Sequence, residues 1–204
     1  MCYRVNHGVL KFSSSKTNIN IHSSRRTGSL INIDVTKFFD SFTLDKMITH
    51  GYFFKSYLIN ANFMCVSHKL AKYPELDSSN KQNMLLINRL FVSVVPFFLH
   101  NGKMPTGAVY SSLLSNFLFS FIDKEIYNYI YRLQCATGSS MRYTRYVDDI
   151  TISSQHQTTE NGANILSIDT VKTVEKILNA YGFYLNYDKT KIFSLCSQIN
   201  GGRR

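Results

Sequence analysis

The segment from Tyr143 to Ser154 reads YTRYVDDITISS, and it places two adjacent carboxylates, Asp148 and Asp149, between two runs that look like β-strands. Side chains alternate between the two faces of a strand, and like charges repel each other when they are crowded. The adjacent acids leave two interpretations open. One is a plain turn, which Asp tolerates well. The other is a metal site, in which a cation supplies the missing charge.

The size and charge of the chain narrow the class of protein. Its 204 residues fit one domain that buries a core of its own. The 23 basic residues outnumber the 13 acidic ones and give a formal net charge of +10. Such an excess fits a polyanionic partner, because each Lys or Arg that meets a phosphate releases counterions. General solubility is the alternative explanation.

The cysteines and the apolar segments indicate the compartment. The four cysteines are Cys2, Cys65, Cys135 and Cys196. Their scattered positions, without a C-x-x-C spacing, argue against a zinc knuckle or a disulfide framework and for a reducing compartment. The first residues, MCYRVNHGVL, lack the uninterrupted apolar core of a signal peptide. The most hydrophobic run, MLLINRLFVSVVPFFL, contains Asn88, Arg89 and Pro96 and favours a buried helix over a membrane span. We therefore expect a cytoplasmic protein without a membrane partner.

The hydrophobic pattern predicts strands and helices in turn. Residues 11–28 are polar and basic and are expected to be loop. A β-rich run over residues 29–35 follows and contains Asp34. A short helix is expected within TKFFDSFTLDKMITHGYF, then helical segments at 54–72 and 81–99, and then a long helix after the turn HNGKMPTG.

Two later helices carry apolar stripes that are expected to lie in the core. In the long helix the stripe is formed by Leu113, Leu114, Phe117, Leu118, Phe121, Ile122, Ile126, Tyr129 and Ile130. A further helix over roughly 166–181 carries Val171, Val174, Leu178 and Tyr181 on one face. It ends at Gly182, a natural C-terminal cap. The segment FYLNYDKTKIF then alternates as a pair of strands would.

The order strand, helices, strand–turn–strand, helix, strand is the β-α-β-β-α-β arrangement of an α+β ferredoxin-like domain, with an expanded first helical connection. In that arrangement the first strand lies beside the central hairpin, so we expect Asp34 near Asp148. Acids from adjacent strands suit divalent cations, and Mg²⁺ leaves positions open for water and substrate phosphate. Because strand neighbours point in opposite directions, the stronger ligand role is expected for Asp148 and the weaker one for Asp149.

Four segments in this order resemble the motifs of reverse transcriptases, most closely those of bacterial retron-type enzymes. INIDVTKFFDSF, around Asp34, resembles the first palm motif, and YTRYVDD resembles the third. MPTGAVYSSLLSN is similar to the second and GFYLNYDKTKI to the fourth. Residues Asn18 to His22, NINIH, resemble the retron signature N-A-x-x-H with Ile19 in the Ala place. The resemblance covers nearly the whole chain.

This resemblance implies an RNA-directed DNA polymerase, a nucleotidyltransferase that extends a primer 3′-hydroxyl with deoxynucleotides and two Mg²⁺ ions, for which Mn²⁺ is a possible substitute. Asp34, Asp148 and Asp149 would ligate the metals. The implied nucleotide-binding residues are Phe39, Thr106, Gly107, Tyr146, Val147 and Lys189.

The implied roles of these residues differ. The ring of Phe39 would exclude a ribose 2′-hydroxyl by its bulk. Tyr146 and Val147 would face the primer end and the nascent base pair, and Gly107 would let the backbone approach template or nucleotide closely. Lys189 would stabilise or protonate the pyrophosphate leaving group.

Simpler interpretations exist for several of these residues. Phe38 is better explained as a core residue than as part of the site. Gly107 is equally typical of a turn, and Lys189 of a solvated surface. Asn18 and His22 fit local hydrogen bonds within a loop.

The resemblance implies one reverse transcriptase domain over residues 1–204. Residues 1–28 would be partial fingers with a basic loop, and residues 29–204 a palm with a helical insertion at about 36–134. Thr106 stands where the family usually has Gln, and Val109 and Ser112 stand where it has Pro. Part of the fingers and the helical thumb have no counterpart in the sequence, so we expect this chain alone to polymerise weakly or not at all.

The expected partners are an RNA template, a DNA or RNA primer and dNTPs, with a structured non-coding RNA and another chain that supplies fingers or thumb as further possibilities. Two other classes stay open. One is a non-catalytic nucleic-acid-binding remnant, and the other is a group II intron-like or phage-defence (antiviral) reverse transcriptase. A metal-dependent nuclease explains less, because it leaves the nucleotide-facing aromatic ring and the Lys-Thr motif unexplained.

Overall fold

One antiparallel sheet organises the chain in the computed structural model, which describes residues 2–6, 9–13, 20–22, 28–52, 55–56, 89–156, 158–159, 162 and 164–194. Its six strands are β1 (Cys2–Asn6), β2 (Val9–Ser13), β3 (Ser29–Val35), β4 (Met141–Tyr146), β5 (Asp149–Ser154) and β6 (Leu185–Ser194). They lie in the order β2-β1-β4-β5-β3-β6, and all of the pairings are antiparallel.

Apart from the helical residues 20–22, which lie between β2 and β3, the described helices lie between β3 and β4 and between β5 and β6. They are α1 (Leu44–Thr49), α2 (Val109–Thr137) and α3 (Ile168–Asn179), with 3-10 turns at Phe39–Ser41 and Val95–Phe98 and further helical residues at 89–94. The Thr43 side chain caps α1, and Ser167 opens α3 with a reciprocal capping box. Gly138 ends α2 in a left-handed conformation that suits glycine. Of the described helices, none is both long and apolar enough to cross a bilayer.

The alternation of side chains along β3 and β5 decides where the core lies. Ile31, Ile33, Ile150 and Ile152 are fully buried, and the direct partners Ile31–Ile152 and Ile33–Ile150 turn to one face of the sheet. Helices α2 and α3 contact each other on this core face, α2 also contacts β4, and α3 also contacts β6. The opposite face carries polar residues, among them Asn32, Asp34 and Thr151, and is called the open face below.

Two of the predicted elements are corrected by the structure, the loop over residues 11–28 and the pair of strands around Tyr187. Residues 11–13 belong to β2, because VLKFS pairs with β1 along its whole length. The loop prediction is therefore wrong there, and it is also wrong at the helical residues 20–22. The short alternation of VLKFS is hard to detect beside the Ser-rich residues that follow it. The segment around Tyr187 forms the single strand β6 with a register shift rather than a pair of strands.

The predicted core stripe of α2 is only partly right. Leu118 and Ile122 are fully buried, as predicted, but Leu113 is 55% exposed. Ser111 and Ser115 are fully buried near the start of this helix instead. The Ser111 hydroxyl donates to the Pro105 carbonyl at 2.7 Å, so a polar face can be buried here without an unsatisfied group. On α3 the predicted stripe is confirmed for Val171, Val174 and Leu178. The predicted helix over 54–72 lies almost entirely outside the described residues. The predicted helix over 81–99 is described from residue 89 onward, and there residues 89–98 are helical.

Candidate active site

Three acids meet where β3 and β5 lie side by side. Asp34 and Asp149 are direct partners in the β3–β5 register, and the Val35 amide donates to the Asp148 carbonyl at 3.1 Å. Direct partners in an antiparallel pair point to the same face, with Cβ atoms about 4.5–5.5 Å apart. Asp34 is buried, Asp148 is half-buried and Asp149 is exposed. The acids thus sit at one end of the strand pair, next to the open face.

The sequence predicts that Asp148 lies near Asp34, whereas the register puts Asp149 directly opposite Asp34. The electrostatics of Asp149 reflect this crowding. Burial raises the pKa of the Asp149 carboxyl, the charges of Asp148 and Asp34 raise it further, and Lys189 lowers it. A cation at this place would relieve the repulsion among the carboxylates. Which acid is the stronger ligand stays a prediction.

Lys189 reaches the acids from the neighbouring strand. Its ammonium nitrogen lies 3.7 Å from Oδ2 of Asp34, and most of its side chain is exposed. The register of β6 changes here, because Asn186 pairs with Asp34 whereas Lys191 pairs with Asn32. The chain between Asn186 and Lys191 therefore leaves the regular ladder, and this excursion carries Lys189 over the carboxylate. The structure brings Lys189 to the acids, while its role toward a triphosphate stays a prediction.

A two-residue turn with an unusual backbone contains Asp148 and leads into Asp149. Tyr146 and Asp149 pair across β4 and β5, so only Val147 and Asp148 form the loop. Val147 has φ = 58°, a value that β-branched residues rarely adopt. A positive φ at the first loop residue, without one at the second, is typical of a type II′ turn, where glycine is preferred. Tyr146 is 38% exposed beside this turn.

A buried ion pair beneath the turn was not predicted from the sequence. The Arg145 side chain is fully buried on the core face and donates from Nε and Nη2 to the two carboxylate oxygens of Asp123, each at 2.8 Å. The Tyr143 hydroxyl donates to the same carboxylate at 2.5 Å. One signal was available in the sequence: Asp123 follows Ile122 within the apolar stripe of α2, where an unpaired acid would be costly to bury.

The remaining predicted nucleotide-binding residues lie on the segments that lead to and from the helices. Phe39 is half-buried in the first 3-10 turn, with its ring 5.5 Å from that of Phe38 in an edge-to-face contact. Phe38 is a core residue, as predicted. Thr106 and Gly107 lie in an exposed turn, where Gly107 has φ = 86° and thus needs glycine. Within the described part of the chain, no hydrogen bond or ion pair links Phe39, Thr106 or Gly107 to the three acids.

His22 is buried against the open face of the sheet, in the short helical stretch 20–22. Its Nδ1 lies 2.7 Å from the Ser153 hydroxyl and its Nε2 lies 2.8 Å from the Thr144 hydroxyl, both in hydrogen bonds. Burial, and secondarily the charge of Arg142, lowers the pKa of His22 from 6.5 to about 4. His22 therefore ties its segment to β4 and β5, which goes beyond the local loop bonding that was expected, whereas Asn18 lies outside the described residues.

The chemistry of the three acids suits a hard divalent cation, because all of their donors are carboxylate oxygens. The Lys189 ammonium beside Asp34 is the positive charge seen at this place. Across the described residues, no group of three or more His, Cys, Asp or Glu side chains is closed around a position for a metal ion. By their oxygen donors and their negative charge, the three carboxylates nevertheless suit a divalent metal ion.

Comparison with known proteins identifies the class. The family model described as "Reverse transcriptase (RNA-dependent DNA polymerase)" matches residues 3–200, so the chain belongs to the reverse transcriptase family. It is 26% identical to the retron Ec73 reverse transcriptase of Escherichia coli over 195 residues, which are 96% of this chain and 52% of that protein. It is also 26% identical to the retron Se72 reverse transcriptase of Salmonella heidelberg (strain 579083-10) over 186 residues, 91% of this chain and 38% of that protein.

These similarities confirm the resemblance to retron-type enzymes that the motifs indicated. The chain spans about half the length of the first of these relatives, and less of the second.

Proposed function

We propose that this chain is the catalytic palm of an RNA-directed DNA polymerase of retron type, which extends a primer 3′-hydroxyl with deoxynucleotides by two-metal phosphoryl transfer. The observation that carries the proposal is the direct pairing of Asp34 with Asp149, with Asp148 bonded through its carbonyl to the Val35 amide. Membership in the reverse transcriptase family and the similarity to retron enzymes support it.

The strand order supports a ferredoxin-like palm. Four of the strands, β4, β5, β3 and β6, are neighbours in that spatial order, and helices connect β3 to β4 and β5 to β6. This is the β-α-β-β-α-β connectivity with the first and third strands adjacent at the centre. In this arrangement the ends of β3 and β5 that carry the acids lie side by side. They are next to the open face, on which a duplex of template and primer would lie.

In this proposal Asp34, Asp148 and Asp149 hold two Mg²⁺ ions. Ions bound there would supply the charge that stabilises the attacking and leaving oxygens of an in-line displacement. Lys189, already 3.7 Å from Asp34, is placed to exchange its carboxylate partner for the phosphates of an incoming nucleotide. Tyr146 and Val147 would contact the primer end.

The other nucleotide-binding residues keep their predicted roles. Phe39 would pack under the sugar of the incoming nucleotide, and Thr106 and Gly107 would lie along the template or the base. The RNA template and primer, the dNTPs, a structured non-coding RNA and a further chain with fingers or thumb remain the proposed partners. The net charge of +10 agrees with polyanionic ligands.

A primer-extension assay tests the proposal with the purified chain, a primed RNA template, dNTPs and Mg²⁺. Asp148→Asn should abolish synthesis and leave RNA binding nearly unchanged. Asp45→Asn, the same chemical change on the exposed first turn of α1, is the matched control and should leave synthesis intact. Measurable extension by Asp148→Asn that equals the extension by Asp45→Asn would contradict the proposal.

A nucleic-acid-binding remnant without chemistry is the second candidate, and the net charge of +10 favours it as much as the first. A filter-binding assay with the same RNA and a Mn²⁺ titration separate the two. Tight RNA binding by a chain that neither binds Mn²⁺ nor extends the primer would establish the remnant.

A further inference from the structure

The turn that precedes Asp149 adopts a conformation that its sequence does not favour. Val147 occupies the first position of a two-residue loop with φ = 58°. A branched Cβ makes positive φ unfavourable, and such a backbone persists only where its surroundings over-determine it. Something outside the turn must therefore hold Val147 in this conformation.

The Arg145 guanidinium bonds to Val147 from the core side of the sheet. Nη1 donates to the Val147 carbonyl at 2.8 Å and to Oδ1 of Asn116 at 3.0 Å. Nε and Nη2 donate to Oδ1 and Oδ2 of Asp123 on α2, each at 2.8 Å, and the Phe119 ring lies 4.5 Å from the guanidinium carbon. A planar, always charged group that is fixed on three sides can direct one donor at a chosen carbonyl.

The direction of that carbonyl matters for the acids. The Val147 carbonyl belongs to the peptide group that leads into Asp148, and the carbonyl of Asp148 in turn accepts from the Val35 amide at 3.1 Å. Asp34 precedes Val35 in β3. A continuous set of bonds thus runs from α2 through Arg145 and the turn to the strand that carries the third acid.

We propose that Arg145 is a positioning residue, which uses the buried Asp123 and Asn116 of α2 to keep Val147 in its strained conformation and thereby holds Asp148 and Asp149 beside Asp34. The expected effect of Arg145 on metal binding rests on the proposed function. The mechanical claim, that Arg145 sets the turn, stands on the hydrogen bonds alone.

The test compares variants that disturb the same network with and without touching the turn. Arg145→Lys keeps a charge opposite Asp123 but loses the fork that reaches Val147. Tyr143→Phe removes another bond to Asp123 and leaves the bond from Arg145 to the Val147 carbonyl in place, so it is the matched control. Asn116→Ala leaves both bonds between Arg145 and Asp123 in place but removes the second acceptor of Nη1, and it should give a smaller effect in the same direction if Arg145→Lys does not fold.

Two readouts report on the site without relying on polymerase activity. The first is hydrogen exchange of the Val35 amide, which bonds to the turn, relative to the Gly28 amide, which donates to Ser154 at the far end of the same strand pair at 2.8 Å. The second is the affinity for Mn²⁺ as the only added probe, measured by electron paramagnetic resonance.

Arg145→Lys should speed Val35 exchange relative to Gly28 and weaken Mn²⁺ binding, each about tenfold. The reason is that Val147 then leaves its strained conformation, which persists only when its surroundings enforce it. Tyr143→Phe should change either by less than about twofold. Adding Val147→Gly, which removes the cost of positive φ, should shrink the effect of Arg145→Lys to about twofold.

Equal effects of Arg145→Lys and Tyr143→Phe, or no rescue by Val147→Gly, would overturn the proposal. A failure of the proposed function looks different. In that case the unaltered chain binds no Mn²⁺, while Val35 exchange still responds to Arg145→Lys and is still rescued by Val147→Gly.

Discussion

The Lys189 ammonium lies 3.7 Å from the Asp34 carboxylate, at the place where we propose that a divalent cation binds. The contact exists because β6 leaves its ladder between the partners of Asp34 and Asn32. A mostly exposed lysine contributes little to stability through such a pair. In the proposed function, the Lys189 charge would offset the repulsion among the crowded acids until a cation or a nucleotide binds.

Lys189→Ala should therefore strengthen Mn²⁺ binding in the absence of nucleotide by about threefold, because a competing positive charge has gone. The same variant should slow primer extension, because the proposed contact to the leaving group is lost. Lys191→Ala removes the same charge from the same strand at the partner of Asn32, and it controls for long-range electrostatics. A Mn²⁺ affinity that is equal in the two variants would contradict the competition.

Phe39 gives a prediction about sugar selection. Its ring is half-buried against Phe38, so the ring is rigid enough to act as a steric wall. Phe39→Val should raise the use of ribonucleotides relative to deoxynucleotides by about tenfold to a hundredfold, measured as the ratio of kcat/KM values in primer extension. Phe97→Ala, at a ring that is 85% exposed, should leave the ratio unchanged.

Much of this arrangement follows from local sequence patterns. The alternation in SLINIDV and in the segment around Asp148 predicts two strands, and the order of the elements predicts that these strands are neighbours. The β3–β5 register agrees with that prediction. The stripe of α3 and the core position of Phe38 also follow from periodicity. Gly182 has the positive φ of a glycine terminator, but α3 ends earlier than predicted, at Asn179 with Ala180 as its C-terminal cap.

Other features depend on packing that a sequence does not reveal. The bonds from Arg145 to Asp123 join a strand to a helix, and they require both side chains to be turned inward at the same depth. Positive φ at Val147 is imposed from outside the turn, against local preference. The excursion of β6 that brings Lys189 to Asp34 looks in the sequence like an ordinary alternating segment.

His22 makes stability depend on pH. Its pKa is about 4 in the folded chain and 6.5 as the ordinary value, so the unfolded chain binds a proton more readily between these limits. The stabilisation is present above pH 6.5 and is lost as the pH falls toward 4. Between about pH 7 and about pH 5, His22 should remove roughly 2 kcal/mol from the free energy of unfolding.

Urea denaturation of the unaltered chain and of His22→Gln across this range measures the effect. The variant should be less stable at neutral pH, since it loses buried hydrogen bonds to Ser153 and Thr144. Its stability should also fall less steeply with acid. His100→Gln, at an exposed histidine, is the control and should keep the full slope. The same steep slope in His22→Gln would show that other groups cause the acid sensitivity.

Substitutions of the buried pair of Asp123 and Arg145 should change the free energy of unfolding and the geometry of the site independently of each other. Asp123→Asn leaves the guanidinium buried without its counter-charge, which should cost about 3–5 kcal/mol in the free energy of unfolding. Replacing both partners, as Asp123→Leu with Arg145→Met, removes the charges together and should recover most of that loss, because desolvated ion pairs contribute little beyond apolar packing of similar volume.

The double variant should nevertheless weaken the affinity for Mn²⁺, since the bond from Arg145 to the Val147 carbonyl is then lost. Denaturation in urea and a Mn²⁺ titration on the same preparations measure the two quantities. Recovery of stability together with full Mn²⁺ affinity would mean that the ion pair serves the fold alone, because the turn would then keep its conformation without Arg145.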